Sequence, residues 1–121
     1  METTFQHQDR LHYAEVYVSD ILDLKKLFLK KFESNKINEN FGIPFLLAKK
    51  GNSIVAFASL MLNQDNQIDF EIYDNSDLKG NEREDFKTKA KSYCKRNNSE
   101  NFRNPEELQY NTQRMVEWLN D

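Results

Sequence analysis

The chain has 121 residues, of which 38% are hydrophobic and 31% charged, with a formal net charge of −3. That length suits one domain with a core of its own, and the negative balance opposes a broad basic footprint for nucleic acid. The single cysteine, Cys94, excludes an internal disulfide and fits a reducing compartment, and no apolar run is long enough to cross a bilayer.

Met1 to Arg10 is polar, has no apolar signal core and reads as a loose end, so a soluble, cytoplasmic protein is expected. From Leu11 to Val18 the residues Ala14, Val16 and Val18 alternate with Tyr13, Glu15 and Tyr17, which predicts a strand. Ser19 and Asp20 are N-cap candidates for an amphipathic helix that places Ile21, Leu24, Leu27, Phe28 and Phe32 on one face. Asp23, Lys25, Lys26 and Lys30 fall off that face and read as a solvated surface. Asn35 to Pro44 is an Asn-rich connection closed by Gly42 and Pro44, with room for one helical turn around Lys36 to Asn40.

The stretch from Gly42 to Asp74 reads as three antiparallel strands with turns at Lys50-Gly51-Asn52 and Gln64 to Gln67. Its middle strand, Ser53 to Asn63, is apolar on both faces and is therefore expected in the interior of the sheet. Strict alternation puts Ile54, Ala56, Ala58, Leu60 and Leu62 on one side, and Val55, Phe57 and Met61 on the other. In the last strand Ile68, Phe70 and Ile72 share one face, leaving Asp69, Glu71 and Tyr73 on a mostly polar one. After a turn-rich loop, Asn81 and Glu84 resemble a capping box for a helix running to about Arg96, with Phe86, Ala90, Tyr93 and Cys94 as its buried stripe. Asn97 to Arg103 reads as a polar linker. Asn104 then caps a last helix with Pro105 at its first position, and Leu108, Met115, Val116 and Leu119 face the core with Trp118 on their flank. The expected fold is a single α+β domain over residues 1–121, in the order strand, helix, three-stranded antiparallel meander, helix, helix, with the helix over 105–121 docked on it.

No complete catalytic or ligand-binding motif occurs. His7 and His12 lack converging partners, so no metal site is expected. Cys94 lies on an apolar stripe, where a thiol packs instead of reacting. Asp69 and Glu71 are not distinguished from ordinary solvent-facing acids. The run Asp74 to Gly80 fails as a calcium loop, because Lys79 lands on a ligand position and Phe86 on the closing acid. Tyr110, Arg114 and Trp118 are spaced by four on the last helix; packing over the sheet edge is the preferred reading, and a protein-partner surface the other.

The phrase FLLAKKGNSIVAFASLMLNQDNQIDFEIY, with the order of elements over Ala14 to Arg96, resembles the first half of the GNAT superfamily of N-acetyltransferases. In that family the loop after the last meander strand carries Arg/Gln-x-x-Gly-x-Gly/Ala, whose amides at a helix N-terminus hold the pyrophosphate of coenzyme A. The resemblance gives Lys79 and Gly80 the phosphate-facing position, and Ile72, Tyr73 and Asp74 the pantetheine-facing strand. The second glycine of the signature falls at Glu82 and its last small residue at Glu84. The following strand and helix, with their tyrosine acid, have no counterpart, and no catalytic residue carries over. A carboxylate about 5 Å from a phosphate repels it by about 3 kcal/mol at an effective dielectric of about 20, before screening. The reading that follows is a GNAT-like domain without acetyltransferase chemistry and without cofactor, acting by binding a partner. Its rivals are a divergent acyl-CoA-dependent N-acyltransferase using acetyl-CoA, and a small acidic chaperone or immunity-type binding protein.

Overall fold

A computed structural model describes residues 11–121. The readings of Met1 to Arg10 and of His7 lie outside the described residues. Strand β1 (Leu11–Glu15) leads through a 3-10 turn to helix α1 (Ile21–Phe32). A second 3-10 turn, Glu39–Phe41, precedes the meander of β2 (Ile43–Lys50), β3 (Ser53–Leu62) and β4 (Ile68–Asp74). Helices α2 (Gly80–Arg96), α3 (Glu100–Arg103) and α4 (Pro105–Asn120) follow. The four strands form one antiparallel sheet in the order β1-β2-β3-β4, so β3 is interior and β1 and β4 are the edges.

The sheet is covered on both faces. On one, Phe45, Ala48, Ala56, Ala58, Leu60 and Ile72 pack against Phe86 and Ala90 of α2 and Leu108 of α4. On the other, Leu47, Phe57 and Tyr73 pack against Ile21, Leu24 and Phe28 of α1 and Leu119 at the far end of α4. Helix α4 thus touches one core with its first turn and the other with its last. Strict alternation does not survive along β2 and β3. Register shifts leave Phe45 and Val55 as extra residues, and each bulge places two neighbours on one face. Val55 therefore joins Ala56 in the α2-side core, and Ile54 moves to the α1 side with Phe57, the reverse of the expected assignment.

Other local expectations are also corrected. Strand β1 stops at Glu15, because Asp20 Oδ2 accepts from Tyr17 N–H at 2.9 Å and turns the chain; Tyr17 and Val18 end up 66% and 78% exposed. The Asn-rich connection hides two core residues, Ile37 and Phe41. It is fixed by Asn120, whose side chain pairs with both Ile37 N–H and Ile37 C=O at 2.8 Å, and by Ser59 Oγ donating to Phe41 C=O. Gly42 closes this connection at φ 65°, and a Cβ there would overlap the Leu60 carbonyl. The supposed linker contains α3, whose Phe102 packs edge-on to Phe45 at 5.4 Å. Asn104 caps α4 as expected, accepting from Glu106 N–H and Glu107 N–H at 3.0 and 3.2 Å. Lys25, expected off the buried face of α1, donates to Leu119 C=O and satisfies an end carbonyl of α4. No helix among the described residues is long and apolar enough to cross a membrane.

Candidate functional site

The chemistry-bearing positions converge where β4 runs into α2. Among the described residues β4 has a neighbour only on its β3 side. Asn75 N–H donates to Val55 C=O at 2.9 Å, so by alternation Tyr73 turns its backbone to β3, and Phe70, Ile72 and Asp74 turn theirs outward. At each of the three outward positions a side chain meets one of the two backbone groups. Phe70 N–H donates to Asp69 Oδ1 at 2.8 Å, Ile72 C=O accepts from Arg83 Nη2 at 3.4 Å, and Asp74 C=O accepts from Lys31 Nζ at 3.3 Å. The Asp74 carboxylate is ion-paired to both Arg83 and Lys31.

The loop that follows is closed in the same way. Asn75 Oδ1 accepts from Asp77 N–H at 2.9 Å, and Lys50 Nζ donates to Asp77 C=O at 2.8 Å. Helix α2 starts two residues earlier than expected. Lys79 is its N-cap position, and Glu82 reaches back to accept from Lys79 N–H at 2.9 Å. Lys50 pairs with the same Glu82 carboxylate at 3.1 Å. The bond from Lys79 N–H holds the Glu82 carboxyl below its ordinary pKa; partial burial opposes this and Lys50 adds to it. Asn81 and Glu84, read as the capping pair, are both exposed. The helix N-terminus therefore carries its own anion, where the resemblance would put a pyrophosphate. Gly80 is exposed, and nothing lies within 4 Å of where its Cβ would be, so the fold itself does not demand glycine there. The residues present do not fit coenzyme A in the family's manner: the phosphate position holds Glu82, and on the strand edge meant for pantetheine the Ile72 and Asp74 carbonyls are already bonded to Arg83 and Lys31.

The remaining site positions divide. Ile72 and Tyr73 are buried on opposite faces of the sheet, which corrects the polar face expected for Tyr73. The Tyr73 hydroxyl donates to Asn40 C=O, and burial, reinforced by Glu71, pushes its pKa up to about 12. Beside Asp74 a cleft of about 790 Å³ opens between α1, the β2–β3 turn and the β4–α2 loop. Lys26, Lys30 and Lys49 line it without an ion pair among the described residues, over an apolar floor of Leu27 and Ile54, with Asp23 and Asp77 also on its wall.

Cys94 is half-buried; burial, with Asp69 adding and Arg103 opposing, pushes its thiol up to about 11, so it stays protonated at neutral pH. His12 is exposed on β1, and no group of His, Cys, Asp or Glu among the described residues is arranged to hold a metal. Tyr110 and Trp118 do not pack over the sheet edge. They are 56% and 53% exposed on the outer side of α4, with Arg114 at 5.7 Å from the Tyr110 ring. The residues that sequence reasoning missed are Lys31, Lys50 and Arg83, the three cations that hold the β4–α2 junction. Only the i+3 spacing of Lys79 and Glu82 announces this arrangement in the sequence.

Comparison with known protein families, with curated proteins and with solved structures returned no match for this chain.

Proposed function

We propose that the chain is a GNAT-like domain that lacks acetyl transfer, uses no cofactor and acts by binding a protein partner. The order strand, helix, three-strand meander, helix over residues 11–96 is the arrangement the resemblance implies. One observation carries the non-catalytic part: Glu82, held by Lys79 N–H and Lys50, fills the helix N-terminus that a coenzyme A pyrophosphate would need. The capped outer edge of β4 supports the same reading. Exposed Tyr110 and Trp118, flanking Arg114, support partner binding, because exposed aromatic and arginine side chains are enriched in protein interfaces.

The divergent acyltransferase is the second reading, favoured by the lysine-lined cleft beside Asp74. Titration calorimetry with acetyl-CoA at moderate salt decides between them. Absence of saturable heat is the expected result. A dissociation constant of about 1 μM or tighter would make the acyltransferase the first choice.

A further inference from the structure

The opposite edge of the sheet is built differently. Val16 N–H donates to Phe45 C=O at 3.2 Å, so by alternation His12 and Ala14 also turn their backbone toward β2. The N–H and C=O groups of Leu11, Tyr13 and Glu15 then face away from the sheet. Among the described residues no hydrogen bond reaches them. Helix α2 stands beside this edge: Asp85 accepts from the Tyr13 hydroxyl, and Lys89 Nζ lies 5.5 Å from the Tyr13 ring centre. Along that side of α2 runs a hollow of about 520 Å³ lined by Asp85, Thr88, Lys89, Ser92, Lys95 and Arg96. Its charges are three cations and one carboxylate, and that carboxylate is engaged by Tyr13. Lys89, Lys95 and Arg96 form no ion pair among the described residues. In a chain of net charge −3 this stripe is a local basic exception.

From these two features we infer that the β1 edge accepts an extended acidic segment of a partner protein as a fifth strand, with its carboxylates under α2. The inference rests on the partner-binding reading above, but places the partner on a surface separate from Tyr110, Arg114 and Trp118 and names its chemistry. Strand addition pairs the outward N–H and C=O groups and supplies affinity that does not depend on sequence. Selectivity comes from the helix. Alternate residues of an added strand lie about 7 Å apart, and Lys89 and Arg96 are separated by about 10 Å along α2. Two glutamates at alternate positions therefore fall within reach of Lys89 at one end and of Lys95 and Arg96 at the other. A segment with lysines in those places would meet three like charges.

The probes are two fluorescein-labelled heptapeptides, one alternating valine and glutamate and the other valine and lysine, titrated into the full chain at low salt. Binding of the glutamate peptide at least about tenfold tighter than the lysine peptide is expected, weakening as salt screens the pairing. In amide exchange followed by NMR, Tyr13 and Glu15 N–H should become protected on binding, and the capped β4 edge should not change. The variant K95Q/R96Q should lose at least about tenfold in glutamate-peptide affinity while melting within a few degrees of the parent chain, since both side chains are exposed and only the favourable last-turn charges of α2 are removed. Equal binding of the two peptides, or binding without protection at Tyr13 and Glu15, overturns the inference. So does protection of those amides in the free chain, whether as a sedimenting dimer, which would give the edge to a second copy, or as a monomer. Failure of both peptides and of acetyl-CoA removes the edge assignment alone, whereas acetyl-CoA binding removes the non-catalytic reading whatever the peptides do.

Discussion

β4 and β1 are both sheet edges, and they are finished in opposite ways. On β4 one of the two outward backbone groups at each of Phe70, Ile72 and Asp74 is met by a side chain, drawn from the strand itself, from α2 and from α1. On β1 the outward groups of Tyr13 and Glu15 meet no described residue. An edge strand is a template for pairing, and proteins blunt such edges with charges or cover. The difference teaches that the position a family resemblance assigns to a site and the edge a given chain leaves without side-chain cover need not coincide. The resemblance points to the β4 side, where this chain satisfies itself. Among the described residues, the outward groups of β1, on the other side of the sheet, have no such side-chain partners.

The strongest way to break the comparison is to remove what holds both edges in one body. Helix α4 packs Leu108 into one core and Leu119 into the other, and Asn120 clamps the Ile37 connection. Truncation before Asn104 should lower the melting temperature by more than 10 °C or unfold the chain, since a chain of this size loses about 3–6 °C per kcal/mol and the helix anchors both cores. An unchanged melting curve would show that α4 is an appendage. Next in size is Phe57, fully buried on β3 and packed near Phe41 and Tyr73 at 5.6 and 5.3 Å. Phe57→Ala should cost about 3–5 kcal/mol in denaturant unfolding. A loss well under 1 kcal/mol would mean that the face toward α1 is not a core.

How far the sequence spoke can be judged at individual residues. The interior strand was legible because Phe57, Ala58 and Leu60 leave no polar face. Ile54 and Val55 lie on faces opposite to those alternation predicts, because a bulge changes the count by one without changing composition. Ile37 and Phe41 were hidden among asparagines, since a short 3-10 turn has no periodicity to detect. At the candidate site the cap slipped from Lys79 and Glu82 to Asn81 and Glu84, because asparagine is the better intrinsic N-cap. Lys50, two strands away in sequence, settles the competition by pairing with Glu82. Long-range ion pairs of that kind leave no local pattern.

A sharper test strips the β4 edge and leaves the fold standing. Asp74 is mostly buried and pairs with both Lys31 and Arg83. Asp74→Ala removes the carboxylate that holds these two cations over the strand. A loss of about 1–2 kcal/mol is expected, more than for an exposed pair and less than for a core aromatic. Amide exchange at Tyr73 and Asn75, whose N–H groups face β3, should quicken as the end of β4 loosens, while β1 is untouched. If exchange along β4 does not change, its capping side chains contribute nothing to protection, and the contrast between the edges is only geometric.

The smallest expected effect concerns pH and isolates Glu82. Its folded pKa lies below the ordinary value, first because Lys79 N–H bonds to the carboxylate and then because Lys50 faces it. A group whose pKa is depressed by folding stabilises the native state above its unfolded pKa, about 4.3 for glutamate. That contribution disappears as pH falls through the folded value, because both states are then protonated. Glu82→Gln keeps an oxygen that can accept from Lys79 N–H but cannot titrate or pair with Lys50. At neutral pH the variant should be less stable by about 0.5–1 kcal/mol. The difference from the parent chain should shrink through the acid range, as the parent loses its charge there and the variant has none to lose. Denaturant midpoints measured across that range check the sign. A gap between the two that stays constant with pH would show that the Glu82 carboxylate is not held at the α2 N-terminus, and the position would be open to another anion after all.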